Sequence, residues 1–148
     1  MKKTVIIAIL VIYLASILAV NFFGLQMVVP ESTVYVDSIT VNGIIVERES
    51  GSLDTWTDTN AEGETVYYFN YIRATGEQSP EQLNLISIDY TVNPENASTQ
   101  DVEVICSSRN AEVVGGKLVF LKPGSVDVRL KAKDGSEKYV DLIIFAKK

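Results

Sequence analysis

The 148-residue chain contains no histidine, one cysteine and one tryptophan. Without histidine the commonest general base and metal ligand near neutral pH is missing. Ser107, Ser108 and Lys122 form no nucleophile constellation that sequence spacing supports, so the inventory predicts a non-catalytic protein with no cofactor and no metal. The single cysteine, Cys106, permits no intrachain disulfide, and an exported domain would be held by its core alone. The local alternation points Cys106 inward as a small hydrophobe.

Charge is also missing over a long stretch. From Thr4 to Pro30 the sequence TVIIAILVIYLASILAVNFFGLQMVVP carries no charged residue. About twenty helical residues span the roughly 30 Å hydrocarbon core, which predicts a membrane anchor over residues 1–30. A cleaved signal peptide has a shorter apolar core, roughly 7 to 15 residues, followed by a small-x-small site. Here Val5 to Val20 is already apolar or nearly so, and Ile17 stands where the second small residue is wanted. An uncleaved anchor is the preferred expectation, with a mature start near Asn21 as the alternative. No cysteine near the end of the run offers a lipid attachment point, and no GxxxG marks a helix-dimer face.

Basic residues are scarce where orientation is decided. Lys2 and Lys3 precede the run and the next basic residue is Arg48, so the positive-inside rule puts the N-terminus in the cytoplasm. The expectation is a single-pass plasma-membrane protein with residues 31–148 extracytoplasmic. Phe22 and Phe23 then fall near the outer interface. Setting aside Lys2 and Lys3 leaves 11 basic residues against 19 acidic ones, a net charge of −8. Nucleic acid is excluded as a partner, since phosphate neutralisation needs the opposite sign.

From Val34 onward the periodicity is two, and no polar-faced helical pattern of useful length occurs. In ISIDYTV, Ile86, Ile88, Tyr90 and Val92 share one face, as in a half-buried antiparallel strand. Asn93-Pro94-Glu95-Asn96 ends it. Val102, Val104 and Cys106 point inward on the next strand, with Ile105 an apolar exception outside. Gly115-Gly116 and Lys122-Pro123-Gly124 read as turns. Val126, Val128, Leu130 and Ala132 alternate with charged residues, and Asp134-Gly135 signals a two-residue hairpin. A first strand over Val34–Val41 and six or seven strands in total predict an all-β sandwich.

The order VNPENAS, VEVICSS, GGKLVFLKPGSVDVRLKAKDG resembles the bacterial Ig-like domain of group 2, over about residues 85–146. In that family a strand ending near Val-x-Pro-x-Asn-Ala precedes a Trp-Ser-Ser strand, a Gly-Lys-Val step, a Pro-Gly turn, an alternating strand and an Asp-Gly hairpin. The resemblance implies an Ig-like antiparallel β-sandwich, here preceded by a single transmembrane helix. It implies an adhesion or spacer role on bacterial surfaces without catalysis, and a turn at the sequon-like Asn96-Ala97-Ser98. Cys106 stands where the family places its core Trp, so the centre is expected to be filled by Tyr90 and Phe120. The stretch at about 48–80 is much longer than the family's first turn and reads as an insertion.

That insertion holds the most distinctive residues. Asp54, Asp58, Glu62 and Glu64 are hard oxygen donors, and Asp58-x-Asn60-x-Glu62-Gly63 imitates an EF-hand start. The twelfth position is Phe69 instead of Glu, so the loop fails as an EF-hand and reads as solvated and acidic, with a looser calcium site as the alternative. In Val66-Tyr67-Tyr68-Phe69-Asn70-Tyr71-Ile72, Tyr67, Phe69 and Tyr71 share one face and Val66, Tyr68 and Ile72 the other. Either one row is core and the other covers a neighbouring strand, or Trp56 with Tyr67, Tyr68 and Tyr71 stacks a ligand such as a cell-wall glycan. On the closing strand, Tyr139, Ile143 and Phe145 alternate with the core set Val140, Leu142, Ile144 and Ala146. If that strand is an edge, this row is covered by the insertion or offered to a protein partner. The expected function is a membrane-anchored accessory or structural module binding another envelope or membrane protein. The alternative is cell-surface adhesion through wall or carbohydrate binding.

Overall fold

The computed structural model describes residues 2–24, 32–48 and 55–148. The chain divides into two compact units, Met1–Ser32 and Thr33–Lys148.

In the first unit, helix α1 runs Lys2–Gly24. No proline or glycine interrupts it before Gly24, so the interior backbone groups can all bond within the helix. Ser16 returns its hydroxyl to the Ile12 carbonyl at 2.8 Å, which satisfies it without water. The apolar side chains from Val5 to Leu18 that project from it are exposed, among them Ile9, Ile12, Tyr13 and Leu14. The described side chains of α1 stop at Ala19, and among the described residues no helix is long and apolar enough to cross a membrane.

The second unit is built from two sheets, as the alternation predicts. Its strands are β1 (Ser38–Glu47), β2 (Thr55–Thr59), β3 (Thr65–Asn70), β4 (Leu85–Asn93), β5 (Val102–Cys106), β6 (Ala111–Val114), β7 (Lys117–Phe120), β8 (Gly124–Ala132) and β9 (Tyr139–Lys147), with a short helix α2 (Pro80–Leu83) before β4. One sheet has the order β1-β4-β7-β6 and the other β2-β3-β9-β8-β5. Every pairing is antiparallel except β3 with β9, which is parallel. The inward residues of both sheets form one core that includes Ile86, Val92, Leu118, Phe120, Val126, Val128, Leu130, Leu142 and Ile144.

Several expectations change. Nine strands occur among the described residues instead of six or seven, because the 48–80 insertion contributes the β2–β3 hairpin. The first strand begins at Ser38, not Val34, since the preceding backbone is tied to loops. Val34 exchanges bonds with Ser98, and the Val36 N–H donates to the Asp134 carboxylate. That same carboxylate accepts the Ser136 N–H at 2.9 Å, so Asp134-Gly135 belongs to a wider loop rather than a two-residue hairpin. Ala132 N–H still closes it on the Lys138 carbonyl. The Gly115-Gly116 turn does hold, with φ of 58° and 78°, the left-handed pair that a tight type I′ connection requires.

The core centre also differs. Phe120 packs edge-on against Phe69, with ring centres 4.9 Å apart at 77°, while Tyr90 is half-buried at the margin. The insertion therefore supplies the second core aromatic. Its chain is fastened by Asn84, which is fully buried and exchanges side-chain bonds with the backbone of Ile72 at 3.0 and 2.8 Å. Arg48 adds bonds to the carbonyls of Leu83 and Asn70. Cys106 is half-buried against the core, its thiol 3.8 Å from the Ala111 carbonyl.

Candidate functional site

The residues singled out from the sequence separate by face of the five-stranded sheet. Within β3 successive side chains alternate, so Phe69 enters the core and Tyr67 packs beside it on the same face. Tyr71, just beyond the strand, follows that face. Their hydroxyls are used on backbone, Tyr67 towards the Val41 carbonyl at 3.5 Å and Tyr71 on Leu121 at 2.9 Å. Tyr68 points the other way. It stacks on Trp56 of β2 with centres 5.6 Å apart and planes only 7° from parallel. On its other side it meets Phe145 of β9 at 5.6 Å and 44°.

This contact sequence follows the register. Trp56 lies opposite Tyr68, and Tyr68 opposite Phe145, which makes an aromatic row across three adjacent strands. The neighbouring row is Asp58, Val66, Ile143 and Asp127. Val66 is only 5% exposed although its side chain shares the outer face with Tyr68. Trp56 keeps 37% of its surface, and the Lys147 ammonium lies 5.8 Å from its ring centre.

Tyr139 sits apart from this patch. Six residues before Phe145 on one strand, it is about 20 Å away by strand rise. It is 55% exposed, and its ring lies under the Arg129 guanidinium at 4.0 Å. Arg129 is held by a bidentate pair with Asp141 at 2.6 and 2.8 Å. That hydrogen bond is the main cause of the Asp141 carboxyl being held below its ordinary range, and it raises Arg129 in turn. Strand β9 is no edge: β3 pairs with one side of it and β8 with the other, so Ile143 and Phe145 are half-buried between neighbours. The partner row expected over Tyr139, Ile143 and Phe145 is thereby split by the Arg129–Asp141 pair.

The acidic residues of the insertion form a turn. Asn60 Oδ1 accepts the N–H groups of Glu62 and Glu64, and its amide donates to the Glu64 carboxylate at 3.0 Å. Asp58 accepts from the Thr59 N–H. Asp54 lies outside the described residues. Among the described residues no three His, Cys, Asp or Glu side chains converge as a metal site.

On the opposite sheet Lys117 bridges to Glu47 at 2.6 Å. With Ser87, it lowers the Glu47 carboxyl, Lys117 being the larger cause. The pair borders a depression beside α2 lined by Ile45, Gln82 and Leu85. Every polar group just named there is committed to the fold.

No protein-family model and no curated protein matches this chain.

Proposed function

We propose that the chain is a non-catalytic, single-pass membrane protein that presents an Ig-like β-sandwich outside the plasma membrane, where it acts as an accessory or structural subunit bound to another envelope protein. The observation that carries this reading is α1. Its apolar side chains from Val5 to Leu18 are exposed, and they belong to a run from Thr4 to Pro30 that carries no charged residue. An exposed apolar surface of that extent favours lipid over water. The uncharged sequence continues past the described side chains to Pro30.

The strand order supports the Ig-like part. Taking β1, β4, β7 and β6 as strands A, B, E and D, and β5, β8 and β9 as C, F and G, gives the two-sheet arrangement of that architecture. The parallel β3 would be a further strand beside G. Fold alone assigns no activity.

Protein binding is favoured over glycan stacking because Tyr67 and Tyr71 pack against the core and Tyr68 lies between Trp56 and Phe145, which leaves Trp56 as the one exposed ring of the four. The test is crosslinking in native membranes followed by purification, comparing the intact protein with a variant carrying Ile143→Thr and Phe145→Thr. The expected result is a stoichiometric membrane partner that is lost in the folded variant. Recovery of wall glycan alone, or of nothing, overturns the accessory-subunit reading.

A further inference from the structure

The outer face of the five-stranded sheet combines an apolar strip with carboxylates that the fold leaves unneutralised. Asp58 on β2 and Asp127 on β8 end the row whose centre is Val66 and Ile143, and both are exposed. Neither forms an ion pair among the described residues, whereas Arg129 is taken by Asp141 and Lys131 by Glu137. The aromatic row Trp56, Tyr68 and Phe145 runs alongside.

We propose that this face docks an extended segment of a partner protein in which two Lys or Arg residues four positions apart flank an aliphatic residue. The inference rests on the interaction-module reading and names its surface and the partner's chemistry. Charge complementarity selects the occupant. Residues 31–148 carry a net charge of −8, and a neutral glycan would leave the charge of both carboxylates unneutralised while an anionic lipid would be repelled. Spacing selects the pattern. From β2 to β8 there are three strand spacings, about 14 Å in all, and positions i and i+4 of an extended chain are about 13 Å apart on one face. The side chain at i+2 then falls over the central pair, where Ile143 is the partly exposed member and Val66 lies beneath the surface.

Trp56 is the only tryptophan, so its fluorescence reads this surface directly. The full-length protein in phosphatidylcholine nanodiscs is titrated with a peptide containing Lys-Ser-Val-Ser-Lys between serine flanks. A second peptide has the same composition with its two lysines adjacent. The spaced peptide is expected to shift Trp56 emission and to bind about fivefold tighter than the adjacent one. Asp58→Asn with Asp127→Asn should remove that advantage. Neutralising exposed Asp89 and Glu95, which lie on and just after β4 of the other sheet, should leave it intact. Equal binding of the two peptides, or equal loss in the Asp89 and Glu95 variant, overturns the proposal. A Trp56 response to soluble wall polysaccharide but to neither peptide also overturns it. In the crosslinking experiment, a membrane partner retained by the Asp58 and Asp127 variant would sink this surface while leaving the accessory-subunit reading standing.

Discussion

At the scale of single residues, the polar groups that matter most are those the core cannot do without. Asn84 satisfies both the N–H and the carbonyl of Ile72 while itself being fully buried, and its own backbone bonds Pro80 and Phe120. Asn84→Ala removes both side-chain bonds to Ile72 from a fully buried position and should cost about 1–3 kcal/mol, read as a lower denaturation midpoint. An unchanged midpoint would mean that the clip contributes nothing. Asn84 was not legible in advance, because an asparagine before a strand reads as a turn residue and its partner lies twelve positions away. The inward pointing of Ile86, Val126, Val128 and Leu130 was legible, since alternation alone encodes it.

Strand β3 shows how one element serves two surfaces. Its core face carries Phe69 against Phe120, and its outer face carries Tyr68 between Trp56 and Phe145. Phe69→Ala should cost about 3–5 kcal/mol, because it opens a cavity at the centre of the core. Tyr68→Ala should cost about 1 kcal/mol, the worth of a surface aromatic pair. Urea unfolding of both variants, followed by near-ultraviolet circular dichroism, checks the contrast. Equal losses would refute the assignment of faces. The two faces of this strand were readable from the sequence, but which was inner was not. That choice depends on β9, some 75 residues further on, to which β3 pairs in parallel.

For the molecule as a whole, carboxylates knit distant parts of the sandwich. Asp134 is held below its ordinary carboxyl range by Ser136 first and then by the Val36 N–H, joining the entry segment to the β8–β9 loop. Asp141 and Glu47 are lowered by Arg129 and Lys117. A depressed folded pKa contributes stability that is present above the unfolded value and is lost as pH falls through the folded one. The Tm should therefore be level above about pH 5 and decline as pH drops through 4 and below. Asp134→Asn should make that decline shallower, and an unchanged slope would show that the carboxylate does not couple to folding.

The sequence by itself determined the uncharged run that becomes α1, the two-residue periodicity of the body, most inward positions after Leu85 and the glycine turn at 115–116. All of these depend on neighbours within a few residues, where side-chain direction follows directly from backbone period. The tertiary structure alone decided that β9 has a strand on each side, that Phe69 rather than Tyr90 faces Phe120, that the Tyr67 face of β3 is the inner one, and that Asp58 and Asp127 flank Val66 and Ile143 in one row. Each of these joins residues far apart in the chain, and strand pairing at such separations is set by packing of the two sheets, which no local pattern records.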